Sequence, residues 1–283
     1  MKLSSVRFTS SQKNIAEAPK QPRWQMRLVA DDYAYTSEIS KSILWLLEND
    51  KIQGTSCMVV TDAWPQDVTA LKALSEQRPD IQIGLHITLT GDWLKPSSSA
   101  LEWAAFPTMP QLLLKSHLRK LNTCQIEKEI ASQIENFQRD FGRLPDFVDG
   151  HEHVHLFPQI RNACVKALHA AGFKGWVRQC GGPLKGVLKR PHRFKSLFLN
   201  YLSWLSRKQA DRYDIRYNRD FAGIYDFSMK SDFSGLLETW QQTASQDSVC
   251  MCHPGVAHSN SNTPDPIAQS REREMRVLSE ATR

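Results

Sequence analysis

Apolar and polar positions along this chain alternate between two periods. Met26-Arg27-Leu28-Val29-Ala30 reads as a short strand that stops at Asp31-Asp32. Ser37 to Asn49 places Ile39, Ile43, Leu46 and Leu47 at helical spacing, and Thr55 to Val60 is the next strand. Pro65 opens a helix running to about Gln77, and Ile81 to Ile87 is a third strand. Residues 91–122 are rich in Pro and Ser and give no clear element. The strongest helical signal lies over 125–141, where Ile126, Ile130, Ile134, Phe137 and Phe141 share one face. Phe147 to His151 is a short strand, and Pro158 to about Ala171 a helix. Trp176-Val177-Arg178 and Ser248 to Cys252 are further strands, and Ala268 to Glu280 is a last helix. Residues 1–22 are polar and aperiodic, a flexible tail ahead of a single domain over 23–283. This strand–helix alternation predicts a parallel α/β architecture with sites at the carboxyl ends of strands.

Composition narrows the class. With 283 residues, 41% hydrophobic and 23% charged, the chain is neither mostly disordered nor collagen-like. Its formal charge of +6 is unevenly placed. Residues 1–27 carry +5 and a basic insert over 183–219 carries +8, which leaves the remainder at −7. Within the insert, residues 187–208 interleave Lys189, Arg190, Arg193, Lys195, Arg207 and Lys208 with Leu197, Phe198, Leu199, Tyr201, Leu202, Trp204 and Leu205. That mixture suits a helix on a membrane surface, or a lid over a lipid-linked sugar. It equally suits an amphipathic helix packed on the domain with a solvated basic face. No recognition motif supports nucleic acid as a partner. Six scattered cysteines without a C-x-x-C pair, and no signal-like apolar run in Met1 to Arg7, give the expectation of reduced thiols in a cytoplasmic protein, peripheral at the inner membrane surface if the insert docks there.

The polar residues with chemical potential sit where apolar runs stop. Asp31 and Asp32 follow the first strand, His86 ends the third, Asp149 with His151, His153 and His155 follows Phe147-Val148, and His253 follows Cys252. Four strands thus deliver carboxylates and imidazoles to one face of a parallel sheet. Clustered His beside Asp marks metal binding. The adjacent carboxylates, pointing in different directions, permit one metal ligand and one base. Taken singly, each also has a plainer reading: a helix-capping Asp pair, a satisfied core histidine at 86, a turn histidine at 253, or surface histidines at 151–155. His151-Glu152-x-x-His155 matches the zinc-peptidase motif H-E-x-x-H, which requires a helix. Pro145, Gly150 and Pro158 crowd that helix out, and period two on a strand would put Asp149, His151, His153 and His155 on one side. There is no G-x-S-x-G, Walker loop or G-x-G-x-x-G, which argues against serine hydrolases, P-loop enzymes and ordinary dinucleotide enzymes.

Four blocks together resemble the YdjC-like carbohydrate deacetylase family. They are Ala30-Asp31-Asp32-Tyr33, Gly84-Leu85-His86-Ile87-Thr88-Leu89, Asp149 through Pro158, and Met251-Cys252-His253-Pro254-Gly255, with Asp265-Pro266 and Arg271…Glu274 in register behind them. The resemblance spans about residues 26–282. It implies a distorted TIM-like parallel (β/α) barrel and one divalent metal ion, Mg2+ or Zn2+, held by Asp32, His86 and His151. It implies Asp31 as the base and His253 as the acid in removal of an N-acetyl group from an amino sugar. Asp149 and His153 would orient a ligand from behind. The family usually has Phe-Gly after the Asp pair, where this chain has Tyr33-Ala34. Asn218 to Gly223 and the basic insert look most like the hopanoid-associated HpnK branch, which implies a lipid-linked sugar. A homodimer, and a non-catalytic metal- or sugar-binding role on the same fold, stay open.

Overall fold

Strands and helices alternate through the computed structural model, which describes residues 26–182, 193–228, 230–256 and 263–281. The tail expected over 1–22 and the first part of the basic insert lie outside the described residues. In chain order the elements are β1 (Met26–Tyr33), α1 (Ser37–Glu48), β2 (Gly54–Cys57), α2 (Trp64–Gln77), β3 (Gln82–Ile87), α3 (Met109–His117), α4 (Thr123–Phe141), β4 (Phe147–Gly150), α5 (Ile160–Ala170), β5 (Trp176–Val177), α6 (Arg193–Arg212), β6 (Arg216–Tyr217), β7 (Asp220–Ala222), α7 (Phe233–Thr243), β8 (Ser248–Cys252) and α8 (Ala268–Glu280).

All ladder pairs are parallel, in the order β6-β5-β4-β3-β2-β1-β8-β7. The two end strands, β6 and β7, are consecutive in the chain with only Asn218 and Arg219 between them. So short a link spans about 10 Å at most, so the sheet must curl until its edges meet, giving the expected distorted barrel. The seam is stitched by side chains. Asn218 Oδ1 accepts from Gln179 N at 2.7 Å, its Nδ2 donates to Gln179 O at 3.0 Å, and Gln179 Nε2 donates back to the carbonyls of Asn218 and Arg219. Paired side-chain amides satisfy backbone groups that an interrupted ladder would otherwise orphan.

Helix α4 forms because its apolar positions repeat at helical spacing, Asn122 caps its start and Gly142, at φ 96°, ends it in the left-handed region. It buries Ile126, Ile130, Ile134, Phe137 and Phe141, each contributing about 1.5–3 kcal/mol. The same helix buries Gln133, which exchanges two hydrogen bonds with the backbone of Thr88, and Glu129, which accepts from Ser97 N and Ser98 N. These bonds fix the chain just after His86. Helices α3, α6 and α7 fall where the hydrophobic pattern left no clear element or only a basic amphipathic stretch.

Candidate metal centre and active site

A cavity of about 420 Å³ opens at the carboxyl ends of the strands, lined among others by Asp31, Asp32, His86, His151, His153 and His253. A larger one, about 690 Å³, lies at the opposite ends beside Arg27, Gln82 and Trp176 and holds none of the residues singled out as metal ligands, base or acid.

Asp31 and Asp32 both enter the first cavity, although adjacent strand residues alternate sides. Asp32 takes φ 67°, and the β1–β2 register shifts between Ala30 and Tyr33. This bulge turns the second carboxylate inward, where the sequence reading had the two pointing apart. Ala34, in place of the family's usual Gly, holds φ 68°, so the turn keeps a left-handed shape despite a Cβ that disfavours it by about 1–2 kcal/mol.

The segment His151–Leu156 corrects the sequence expectation. It is neither a strand continuing β4 nor an α-helix, but a kinked 3₁₀ segment with Glu152 at φ 52° and His153 at φ 60°. The three histidines therefore part company. His151 Nδ1 lies 2.9 Å from Asp32 Oδ1. His153 Nδ1 faces Cys180 Sγ at 3.6 Å, and His155 Nε2 bonds the Arg178 carbonyl at 2.8 Å. The helix that H-E-x-x-H needs is not formed, and His155 points away from His151's partners. The zinc-peptidase reading falls with it.

Asp32, His86 and His151 offer donor atoms that all lie within 4.8 Å of one another. His86 Nε2 is 3.2 Å from Asp32 Oδ1, while its Nδ1 donates to Asp149 Oδ1 at 2.6 Å. A carboxylate behind a ring N–H leaves the other ring nitrogen free to bind a metal. Burial works against a charged His86, yet Asp149 and Asp32 raise its pKa to about 10. The field that draws a proton onto His86 favours a cation. Three buried carboxylates, Asp31, Asp32 and Asp149, face two buried guanidiniums, Arg178 and Arg271, which leaves one negative charge for the His86 proton or a bound cation to balance. One carboxylate and two imidazoles suit a divalent ion.

Arg178, at the end of β5, grips Asp31 with two hydrogen bonds of 2.6 Å. Its Nη2 also lies 2.6 Å from Asp149 Oδ2, at an angle that makes an ion pair but no hydrogen bond. Burial would raise the Asp31 pKa, but Arg178 and then His86 bring it down to about 2. Arg271 donates to Asp32 Oδ2 at 2.7 Å and to Asp265 Oδ2 at 2.9 Å. Burial is again outweighed, here by Arg271 and His151, and Asp32 sits well below the usual carboxylate range. His253 Nε2 is 3.9 Å from Asp31 Oδ2, and Phe227 packs edge-on against its ring. Burial lowers the His253 pKa to about 4, so its imidazole is neutral at pH 7. Its backbone N–H donates to Glu274 Oε2, and Tyr225 donates to the other oxygen of the same buried carboxylate.

Arg178, Glu274 and Tyr225 were not singled out from the sequence for chemistry. Arg271 and Glu274 entered only as spacing. The signal for Arg178 was a charged residue closing an apolar strand, the same signal that marked Asp31 and His253.

The chain has known relatives in sequence and in fold. The profile of the family described as YdjC-like protein matches residues 26–282. A chitooligosaccharide deacetylase of Yersinia enterocolitica is 28% identical over 226 residues, covering 80% of this chain and 79% of that protein. Another, of Yersinia pestis, is 28% identical over 131 residues, covering 46% of this chain and 50% of that protein. A solved structure from Enterococcus faecalis V583, named as a candidate cellobiose-phosphate cleavage protein, superposes with a TM-score of 0.64 at 18% identity over 90% of both chains, a likeness of fold.

Proposed function

The chain belongs to the YdjC-like protein family, and on that footing we propose that it is a carbohydrate N-deacetylase that uses one divalent metal ion to release acetate from an N-acetylated amino sugar. The observation that carries this reading is the meeting of Asp31, Asp32, His86, His151 and His253, from four strand ends, around one cavity.

Asp32, His86 and His151 would hold the ion, Mg2+ or Zn2+, with imidazole favouring zinc and open oxygen coordination favouring magnesium. When bound, the ion acidifies water and polarises the acetyl carbonyl. Asp149 orients His86, and Arg178 holds Asp31 with both oxygens fixed. Asp31 takes a proton from the attacking water. His253, neutral at rest, takes that proton across the 3.9 Å contact and passes it to the departing nitrogen, since an amine leaves slowly without one. His153 lines the same cavity, with its Nδ1 against Cys180 Sγ. The products are acetate and a free amino sugar.

The relatives named chitooligosaccharide deacetylases support an amino-sugar substrate. The cavity walls support an apolar group attached to it: Met109, Leu113, Phe157, Phe198, Leu199 and Phe227 surround the polar floor. None of Asn218 to Gly223, the stretch resembling the hopanoid-associated branch, lines this cavity, so a lipid-linked sugar rests on those walls instead. Six scattered cysteines, none of them in a disulfide, support a reducing, cytoplasmic setting. Among the described residues no helix is long and apolar enough to cross a membrane.

The test is acetate release from a panel of N-acetylated oligosaccharides and glycolipids, before and after chelation and after adding back Mg2+ or Zn2+. Release that chelator abolishes and metal restores is expected. A folded, metal-loaded protein that releases no acetate from any of them would leave only a binding role.

A further inference from the structure

Helix α6 turns its apolar side the wrong way for an ordinary surface helix. Leu199, Leu202 and Ala210, with Ser196, Ser203 and Ser206, form its buried stripe. Phe194, Phe198, Tyr201 and Trp204, at positions i, i+4, i+7 and i+10, form a second stripe that faces outward. Phe194 is 90% exposed, an extreme for a phenylalanine in a helix. Tyr201 and Trp204 stack on each other, and Lys208 Nζ lies 3.6 Å above the Trp204 ring. Helix α3 continues the surface, for His117 meets Phe198 at 5.8 Å and Leu114 and Leu118 are exposed beside it. Monomeric proteins seldom expose contiguous apolar area of this kind without a partner.

The charges on this surface are mostly of one sign. Residues 109–121 contain Lys115, Arg119 and Lys120 with no carboxylate, and α6 carries Lys195, Arg207, Lys208 and Arg212 against a single acid, Asp211. The same two helices form the mouth of the cavity through Met109, Leu113, Lys195, Phe198 and Leu199. We propose that the outward faces of α3 and α6 dock on an anionic lipid bilayer, presenting the mouth of the cavity to the membrane surface. Aromatic rings settle at the boundary of headgroups and acyl chains, while flanking Lys and Arg meet the negative lipid charge. The proposal rests on the deacetylase reading only for what docking would accomplish, which is access to a lipid-linked sugar. The surface itself does not depend on turnover.

The experiment is co-sedimentation of the full chain with phosphatidylcholine vesicles, with and without a phosphatidylglycerol fraction, at low and high salt. A double variant, Phe194→Ser with Trp204→Ser, is compared alongside; neither residue lines the cavity. We expect binding to the anionic vesicles at low salt, weakened by high salt and by the omission of phosphatidylglycerol. The double variant should bind about tenfold less or weaker still, while its circular dichroism and its acetate release from a soluble substrate stay unchanged. No wild-type binding at low salt overturns the proposal. Undiminished binding by the double variant does too, because it would assign the attraction to the basic residues of 1–27. A dimer seen by analytical ultracentrifugation that the double variant abolishes, without vesicle binding, would assign the surface to a second copy. Wild-type protein that binds the vesicles yet releases no acetate from any substrate would count against the deacetylase reading alone.

Discussion

The Arg178 guanidinium and the Asp31 carboxylate meet through two parallel hydrogen bonds of 2.6 Å, both partners buried. This fork fixes where the carboxylate points and keeps it ionised at any ordinary pH. Lysine cannot reproduce two donors in one plane. Arg178→Lys should therefore lower kcat by about 10²-fold, the usual worth of a well-placed proton acceptor, with little change in KM. Burial, no longer opposed by the full fork, pushes the Asp31 pKa upward, and only its ionised form accepts a proton. The acid limb of the pH–rate profile should move to higher pH. A profile identical to wild type would remove Arg178 from the mechanism.

Asp31 and Asp32 are neighbours with separate tasks. Asp31→Asn should reduce turnover by about 10³-fold or more while bound metal, measured by atomic emission, stays near wild type. Asp32→Asn should lose the metal itself, because Asp32 Oδ1 lies 3.2 Å from His86 Nε2 and 2.9 Å from His151 Nδ1. The reverse pattern of metal contents would sink this division of labour.

Glu152 occupies the position of the catalytic base in H-E-x-x-H, but on a left-handed kink rather than a helix. Glu152→Gln should cost no more than about threefold in kcat, far below the 10²–10⁴ that a proton-transferring group supplies. A folded, metal-bound variant without activity would bring the peptidase-like arrangement back.

Glu274 is buried, and burial raises its pKa from 4.5 to about 7, with the hydrogen bonds from Tyr225 and His253 only partly offsetting that rise. An acid whose folded pKa lies above its unfolded one stabilises the fold fully below the unfolded value. That stability is lost as pH rises from 4.5 through about 7. Glu274→Gln should remove this loss. The variant's Tm should gain on wild type between pH 5 and pH 8, by about 5 °C or more for a shift of this size. Parallel Tm curves for the two proteins across that range would contradict the assignment.

Most strand ends and helix faces were legible in the chain itself, though α3, α7, β6 and β7 were not. Periods of two and 3.6 follow from backbone geometry, and burial selects apolar residues at those periods wherever a face meets the core. Ile126, Ile130, Ile134, Phe137 and Phe141 could hardly be read otherwise. Asp31, Asp32, His86, His151 and His253 were legible too, because a charged or imidazole side chain that closes an apolar strand has few reasons to stand there. Three things were decided only by tertiary structure. The direction of the second carboxylate depends on a bulge at Asp32, and the parting of the three histidines on left-handed backbone at Glu152 and His153. None of these three residue types dictates such a conformation, and packing must hold it against its intrinsic cost. Arg178 lies 147 residues from Asp31, and Arg271 lies 239 residues from Asp32. No local pattern carries an ion pair across such separations; it exists because the barrel brings the ends of β5 and β1, and the first turn of α8, around one cavity.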